Sequence, residues 1–359
     1  MSGQLAPTAG HSGSQMRVLI LSDGVPGHDR SSLGILTALA KHRSVDARVL
    51  SIRETLRLSR RVKRTLAGLL PFGTFWTTFY RIGGEPSPFN PVPVTHAIPD
   101  GPIDLVISTG PRTSAANIAM ARRLKARNTY FGFSKWPSDG FYTVLLTSER
   151  RAPHPHRAYT LRPSELDASD LPEARPLAPN GTERHASILF GGQSKHYYYT
   201  MADMELLAER IVALTRRLSW LKWTIFDSRR SPKEEFDCLV DLVAASGSAV
   251  EFVRFADHGL LSNNPAFRSD LVLVTADSMS MLAESIASCR PTGILYADRY
   301  KAPLRDAIEH QAMIADRRAF PITFSGLEAE ALVKNAAALE TLPGSQLDAL
   351  YETVARYGI

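Results

Sequence analysis

A strand–glycine turn–helix unit that occurs twice constrains the fold of this chain more than any other feature. The first copy has the strand RVLILS, the turn DGVPGHD and then a helix, for which Ser31 or Ser32 is the predicted N-cap. The second copy has the strand ASILF, the turn GGQSKH and a predicted helix from about Met201 to Leu218. Continuous apolar strands of this kind alternate with helices in parallel sheets. The repeat therefore predicts two α/β domains, each opening with the same unit.

Further strands and helices alternate within each half. The segments VDARVLSI, IDLVIST, TYFGFS and YTVLLTS predict strands in the first half, and WTIFDS, VEFVRF, LVLV and PTGILYA predict strands in the second. A Pro-rich, charged stretch without apolar periodicity separates the halves. The predicted divisions are a disordered leader (1–15), a first domain (16–165), a linker (166–184), a second domain (185–325) and C-terminal helices (326–359).

Composition excludes several classes of protein. The 359 residues are 44% hydrophobic and 22% charged, which is typical of globular chains. Cys238 and Cys289 lie far apart without CxxC spacing, so neither a disulfide framework nor a zinc site is predicted. No apolar run reaches the roughly 18 residues of a membrane span, and the N-terminus lacks the pattern of a signal peptide. We expect a cytoplasmic protein, with a peripheral position at the inner membrane left open.

The first glycine-rich turn is a candidate acceptor-side loop. Gly24 and Gly27 allow the backbone to approach a ligand, and Gly110 follows another buried strand in a similar turn. The G-x-G-x-x-G spacing of dinucleotide-binding loops is absent, which disfavours an NAD enzyme. His28, with Asp29 beside it, is the candidate general base, because imidazole is suited to proton transfer at neutral pH. The alternative is that both residues only shape the turn.

The second turn predicts an anion site. Gly191 and Gly192 follow a buried strand, and Ser194, Lys195 and His196 add a hydroxyl, a cation and an imidazole. Backbone N–H groups in such a loop favour phosphate, although the Walker A pattern is not matched. The alternative is an ordinary loop with an exposed Lys and His.

Polar residues also follow two other strands of the second half. Two consecutive arginines at a strand end can clamp a diphosphate, or they can belong to a solvated turn. Hydroxyls at the start of a helix suit phosphate, and a carboxylate further along can accept ribose hydroxyls; alternatively they cap the helix and face solvent. These candidate donor-binding residues are Arg229, Arg230, Thr275, Asp277, Ser278 and Glu284.

Residues 53–80 combine six cations with several large apolar side chains. The net charge of +6 and the pI of about 9.3 favour anionic partners, and much of the basic excess lies in this segment. Cations followed by Phe72, Phe75, Trp76 and Phe79 are typical of a helix lying on an anionic membrane surface. Core packing with an exposed basic face is the second interpretation. Nucleic-acid binding ranks third, and no nucleic-acid partner is expected.

Four of these motifs together resemble a known family. DGVPGH, GGQSKH, the strand ending in DSRR, and VTADSMSMLAES are similar in order to the mitochondrial-fission "elongated mitochondria" family, over about residues 17–325. That family resembles glycosyltransferases of the GT-B fold, including the transferase that adds N-acetylglucosamine to a lipid-linked sugar in peptidoglycan synthesis.

The resemblance implies roles for particular residues. His28 matches the histidine that closes the acceptor-side loop of the peptidoglycan enzyme. Gly191, Gly192 and Ser194 match its donor-phosphate loop, and Glu284 matches its ribose-binding carboxylate. Pro26 stands where that enzyme has a glycine before the histidine, so the acceptor does not carry over.

The resulting expectation is two Rossmann-like domains facing across a cleft, with the C-terminal helix crossing back. The expected function is metal-independent transfer of a sugar from a nucleotide-sugar, which is the co-substrate, to a lipid-linked or cell-envelope acceptor; no cofactor is expected. His28 or Asp29 would deprotonate the acceptor, and Lys195 and Arg229 would stabilise the departing diphosphate. The alternatives are a catalytically silent adaptor of the same fold and a nucleotide-sugar epimerase or NAD enzyme.

Overall fold

The computed structural model describes residues 15–88, 90–133, 138–150, 152–177, 182–194, 197–258 and 265–359. The chain divides into two compact units. The first is Met1–Glu165 together with Leu347–Ile359, and the second is Leu166–Gln346. Apart from Gln15, the predicted leader lies outside the described residues.

The first unit is built on one sheet with the strand order β3-β2-β1-β5-β6-β7-β8, and the short β4 pairs with β2. All pairs are parallel except β2 with β3. Its strands are β1 (Met16–Ser22), β2 (Val45–Glu54), β3 (Tyr80–Ile82), β4 (Val94–Thr95), β5 (Leu105–Thr109), β6 (Arg127–Phe131), β7 (Val144–Thr147) and β8 (Arg157–Tyr159). Its first four helices are α1 (Pro26–Ala40), α2 (Arg60–Leu69), α3 (Phe72–Phe79) and α4 (Ser114–Leu124).

The second unit is a parallel six-stranded sheet with the order β11-β10-β9-β12-β13-β14. Its strands are β9 (Arg184–Leu189), β10 (Leu221–Phe226), β11 (Val250–Val253), β12 (Leu271–Thr275), β13 (Thr292–Tyr296) and β14 (Phe320–Thr323). Its helices are α5 (Met201–Arg217), α6 (Lys233–Ala245), α7 (Phe255–His258), α8 (Met279–Ala287), α9 (Leu304–Ala315) and α10 (Ala329–Ala337). The two parallel α/β units predicted from the sequence are confirmed.

Each sheet changes direction at its first strand. In the first unit the chain runs from β1 to β2 on one side, and β5 then pairs with the other side of β1. In the second unit β9 has β10 on one side and β12 on the other. Open α/β sheets bind ligands at the carboxyl ends of the strands at such a switch point. The loops after β1, β5, β9 and β12 are therefore the candidate positions for a site.

The last helix, α11 (Gln346–Ala355), returns to the first unit. Leu347, Leu350 and Val354 are buried in the same apolar cluster as strand β1 and helix α1. Asp348 accepts hydrogen bonds from Lys41 at 3.0 Å and from His42 at 2.8 Å, which joins α11 to the end of α1. The predicted return of the C-terminal helix is thus part of the observed fold.

Part of the predicted linker is attached to the second unit. Arg175 forms an ion pair with Asp270 at 2.8 Å, and Arg290 donates a hydrogen bond to the Pro172 carbonyl. Residues 166–177 therefore lie against the second unit, and residues 178–181 lie outside the described part of the chain.

Helix α1 begins earlier than the sequence predicts. Ser31 or Ser32 is the cap expected from the sequence, but the helix starts at Pro26, inside the glycine-rich turn. Proline suits the first turn of a helix, because its φ is already helical and its missing N–H would have no partner there. His28 and Asp29 are consequently first-turn helical residues. In α5, by contrast, the predicted inward-facing Met204, Leu207, Ile211 and Leu214 are all buried.

The basic, aromatic segment forms α2 and α3, and its large rings face inward. Phe75, Trp76 and Phe79 are buried in the apolar cluster beneath the sheet of the first unit. Lys63 and Arg64, expected among the exposed cations, are buried as well. The prediction that these aromatic side chains insert into a membrane was therefore wrong, since the rings are buried in one cluster with side chains of the sheet and of helix α4. Among the described residues, no helix is long and apolar enough to cross a bilayer.

Candidate functional site

The loop after β1 carries an Asp–His pair. His28 Nδ1 lies 3.0 Å and 3.1 Å from the two carboxylate oxygens of Asp23. The Asp23 side chain is 3% exposed and that of His28 is 25% exposed. A buried carboxylate that accepts from Nδ1–H leaves Nε2 with its lone pair, the tautomer required of a general base. This geometry gives His28 a defined orientation at the switch point of the first sheet.

Gly110, at the end of β5, makes room for the imidazole. A Cβ atom added to Gly110 would lie 2.3 Å from His28 Nδ1, and the residue has a φ of +92°. Any side chain at this position would displace the ring. The sequence predicts Gly110 in the acceptor-side loop, and the structure places it against His28.

Asp29 is not accessible to a substrate. Its Oδ2 accepts hydrogen bonds from the Ser22 hydroxyl at 2.9 Å and from the Ser87 backbone N–H at 2.7 Å. The side chain lies in the core, and burial raises its pKa. The expectation that Asp29 could replace His28 as the base is corrected, because this carboxylate joins the end of strand β1 to the loop at Ser87 and the residue is 1% exposed.

The remaining glycines of this loop have backbone roles. Gly24 has a φ of +73°, and an added Cβ would lie 3.0 Å from the Glu85 carbonyl oxygen. Gly27 lies in the first turn of α1, where its carbonyl accepts from the Ser31 hydroxyl at 3.1 Å. The positive φ and the nearby carbonyl thus explain the glycine at position 24.

The glycine loop after β9 is bonded to the loop after β10. Gly192 has a φ of +120° and forms an isolated parallel bridge with Arg230, whose carbonyl accepts from the Gln193 N–H at 3.0 Å. A Cβ at Gly192 would lie 2.2 Å from that carbonyl oxygen. The Ser228 hydroxyl donates to the Gly191 carbonyl. The two loops thus form one surface.

Asp277, after β12, holds this surface together. Its Oδ1 accepts from the Tyr199 hydroxyl and from the Thr275 hydroxyl, both at 2.8 Å, and its Oδ2 accepts from Arg230 at 3.2 Å. Thr275 Oγ1 accepts in turn from the Gly191 N–H at 2.7 Å. The Asp277 side chain has no exposed surface, and burial raises its pKa although Arg230 opposes the shift. Asp277 and Thr275 are therefore positioning residues.

Among the described residues, Arg230 brings a cation to the loop. Its side chain is 41% exposed while bonded to Asp277, so part of the guanidinium remains open to solvent. Arg229 is exposed, and Ser278 is buried at the start of α8. Glu284 is buried further along α8. Ser194 lies in the loop, where its hydroxyl accepts from the Tyr197 N–H at 3.2 Å; Lys195 and His196 lie outside the described residues.

Sequence patterns miss three residues of the site. Asp23 stands directly before Gly24, and a carboxylate five residues before a candidate base is a usable signal once α1 is known to start at Pro26. Ser228 lies within the DSRR motif without being singled out by it. Tyr199 gives no local signal, because its contact with Asp277 joins residues 78 positions apart.

The two loop systems offer different chemistry. The first presents an oriented imidazole that can take a proton. The second presents a helix N-terminus and a cation that can hold an anion. Within the described segments, no group of three or more His, Cys, Asp or Glu side chains is arranged to hold a metal ion.

The comparison with protein families matches mainly the second half of the chain. The sequence model of the mitochondrial fission ELM1 family matches residues 147–346, which is more than half of the 359 residues. The resemblance predicted from motifs begins at about residue 17, so the match leaves out the loop that carries His28. No curated protein sequence matches the chain significantly.

Solved structures with the same architecture are distant in sequence. A protein from Listeria monocytogenes described as a putative UDP-N-acetylglucosamine 2-epimerase is 10% identical, with 95% of each chain covered and a TM-score of 0.56. MnaA of S. aureus, solved with UDP, is 11% identical over 95% of each chain, with a TM-score of 0.52. A UDP-glucosyltransferase from Polygonum tinctorium is 9% identical over 97% of this chain and 99% of its own, with a TM-score of 0.50. These likenesses show the predicted fold class, two Rossmann-like units of the GT-B type.

Proposed function

The chain belongs to the mitochondrial fission ELM1 family, and we propose that it is a glycosyltransferase that takes a sugar from a nucleotide-sugar donor. The observation that carries the proposal is that the loops at the switch point of each sheet offer the chemistry that one half of a sugar transfer needs. The Asp23–His28 pair follows β1, and the Gly191–Gly192 surface with Arg230 follows β9. An oriented base and an anion site are what transfer from a diphosphate requires.

The first unit would activate the acceptor. His28 Nε2 takes the proton of an acceptor hydroxyl while the oxygen of that hydroxyl forms a bond to the anomeric carbon of the sugar. Asp23 keeps the proton on Nδ1 and stabilises the imidazolium that forms. The proposed acceptor class is the one expected from the resemblance, a lipid-linked or cell-envelope molecule.

The second unit would bind the donor. The bond from the anomeric carbon to the diphosphate oxygen breaks, and the departing nucleoside diphosphate gains negative charge. Arg230 and the N-terminus of α8 would stabilise that charge. Glu284, by resemblance, would accept hydrogen bonds from the ribose. The protein from S. aureus was solved with UDP, which supports testing UDP-sugars first.

Replacing Arg230 tests the donor site. Arg230→Ala should weaken nucleotide-sugar binding by about 10- to 150-fold, the loss of one charge-assisted contact of about 1.5–3 kcal/mol. Arg229→Ala is the comparison, because Arg229 is exposed and has no bond to Asp277. Isothermal titration with the bound nucleotide-sugar gives both affinities. Equal losses of nucleotide-sugar affinity in the two variants would show that the Arg230 guanidinium, which is bonded to Asp277, has no specific role in donor binding.

A ligand panel tests the function itself. Thermal shift of the full chain against UDP-, GDP-, CMP- and ADP-sugars should give one class that raises the melting temperature. Incubation of that donor with cell-envelope lipid extract should then release the nucleoside diphosphate and label the lipid. Binding without release of the diphosphate would point to a catalytically silent adaptor of the same fold.

Epimerisation of a UDP-sugar is the second candidate. The Listeria monocytogenes protein with the same fold is described as a putative UDP-N-acetylglucosamine 2-epimerase. An epimerase changes the sugar with no acceptor present. Analysis of UDP-N-acetylglucosamine after incubation with the protein alone distinguishes the two reactions.

A further inference from the structure

Residues 53–81 expose arginines and aliphatic side chains, whereas the sequence predicts exposed aromatic side chains in this segment. We propose that this surface, named here the arginine–leucine patch, binds an anionic lipid bilayer. The patch consists of the exposed residues Arg53, Leu56, Arg57, Leu58, Arg60, Arg61, Val62, Leu69 and Arg81. The aromatic side chains expected to insert are buried, so this proposal rests on other residues.

The apolar part of the patch is concentrated and outward-facing. Leu56, Leu58, Val62 and Leu69 are between 41% and 69% exposed, and they account for four of the ten most exposed large apolar side chains among the described residues. Single exposed leucines are common on proteins, whereas four within fourteen positions indicate a binding surface.

The loop that presents two of these leucines is fixed in place. The buried Lys63 ammonium bonds to Glu54 and donates to the Leu56 carbonyl at 3.0 Å. The Thr55 N–H donates to the Phe79 carbonyl at 2.9 Å. The leucine side chains are therefore held outward by the fold.

The arginines occupy positions that cost stability. Arg53 and Arg81 lie directly opposite each other on the antiparallel pair β2 and β3, where like charges repel. Arg60 and Arg61 open helix α2, whose first turn holds no acidic residue, and the partial positive charge of a helix N-terminus disfavours cations there. The only acidic residue between positions 53 and 81 is Glu54, which is already paired with Lys63. An anionic surface would relieve both repulsions.

The mixture of side chains selects a bilayer over other anions. Arginines alone would suit a nucleic acid, but aliphatic side chains gain nothing from a phosphate backbone. At a bilayer, cations bind the headgroups and leucines enter the boundary with the acyl chains.

The position of the patch fits a lipid-linked acceptor. Strands β1 and β2 are parallel neighbours, with Ser22 opposite Ser51, so the loops after them lie at the same edge of the sheet. His28 follows β1, and the Leu56 loop follows β2. This link to the acceptor rests on the proposed function, but binding to vesicles does not, so the two can fail separately.

The test is co-sedimentation of the full chain with vesicles. One set contains equal parts of phosphatidylcholine and phosphatidylglycerol, and the other contains phosphatidylcholine alone. We expect binding to the anionic set only. The triple variant Arg57→Glu, Arg60→Glu, Arg61→Glu should bind about a hundredfold more weakly, the factor that three cations near an anionic surface contribute.

A matched control distinguishes the effect of where the arginines lie from the effect of net charge on vesicle binding. Arg216→Glu, Arg217→Glu, Arg268→Glu changes exposed arginines of the second unit and lowers the net charge from +6 to zero, as the patch variant does. It should retain most of the binding. Melting temperatures of both variants establish that they are folded.

A second variant tests the leucines. The triple variant Leu56→Ser, Leu58→Ser, Val62→Ser should still bind anionic vesicles at low salt. At high salt it should no longer bind, because salt screens the attraction of the arginines and the apolar contribution has been removed. Met201→Ser, Leu242→Ser, Leu304→Ser alters exposed apolar residues outside the patch and should bind as the unmodified chain does. Equal losses in patch and control variants, equal binding to neutral vesicles, or binding to single-stranded DNA without vesicle binding would each overturn the proposal.

Discussion

His28→Ala should lower turnover about 10²- to 10⁴-fold and leave donor affinity unchanged. The imidazole is oriented by Asp23 and belongs to the first unit, whereas the proposed donor residues belong to the second. Its loss should therefore appear in the rate of transfer. Single-turnover kinetics with saturating donor measures that rate, and titration of the donor measures affinity.

Two further variants separate catalysis from disturbance of the fold. His96→Ala changes an exposed histidine of the same unit and should leave turnover as it is. Asp23→Asn keeps the shape of the side chain but no longer stabilises the imidazolium, so it should reduce turnover in the same direction as His28→Ala. Full activity in a folded His28→Ala variant would refute the role of His28 as base.

Gly192→Ala should remove donor binding and destabilise the second unit by about 2–6 kcal/mol, the sum of two costs. A non-glycine residue at its φ of +120° costs about 1–3 kcal/mol. Forcing a Cβ to within 2.2 Å of the Arg230 carbonyl adds about 1–3 kcal/mol, because that carbonyl is backbone and bonded to Gln193. The bridge between the two loops should open and release the Arg230 backbone. Denaturant unfolding and nucleotide titration measure the two effects.

Gly247→Ala is the matched control for this change. Gly247 also has a positive φ, +68°, but nothing lies within 4 Å of an added Cβ. This variant should lose only about 1–2 kcal/mol and bind the donor normally. If the two variants behave alike, the close approach of Gly192 to Arg230 has no functional importance.

Secondary-structure elements and strand-end positions are well predicted from the sequence, since both depend on local patterns. Apolar runs fix the strands, and the 3.6-residue period places Met204, Leu207 and Ile211 in the core. Because parallel strands end at a common edge, the amino-acid sequence alone is enough to name the loops that start at Gly24 and Gly191 as candidate positions for a site.

The pairing of residues within the site depends on contacts that local patterns do not encode. The sequence singles out Asp29, directly after His28, as the alternative base, whereas the side chain that contacts the imidazole is that of Asp23. The contact of Gly110 with His28 spans two strands of the sheet.

The basic, aromatic segment shows a second limit of prediction from the sequence, the assignment of side chains to the buried or the exposed face. The sequence predicts one helix in this segment, whereas the structure has two, and the composition does not say which face each residue occupies. Trp76 packs inward and Leu69 outward, although hydropathy ranks both as candidates for burial. Lys63 is buried because Glu54 and the Leu56 carbonyl satisfy its ammonium, a compensation that no local pattern encodes.

The return of α11 to the first unit has a consequence for synthesis on the ribosome. The core of the first unit includes Leu347, Leu350, Val354 and Ile359, which are translated after the whole of the second unit. The second unit, Leu166–Gln346, is continuous and is complete before them. Domains usually fold in the order of their synthesis, but here the unit that is begun first is the one finished last. Until these residues are made, strand β1 and helix α1 present an uncovered apolar surface, so the nascent first unit is the part of this protein that a chaperone should bind.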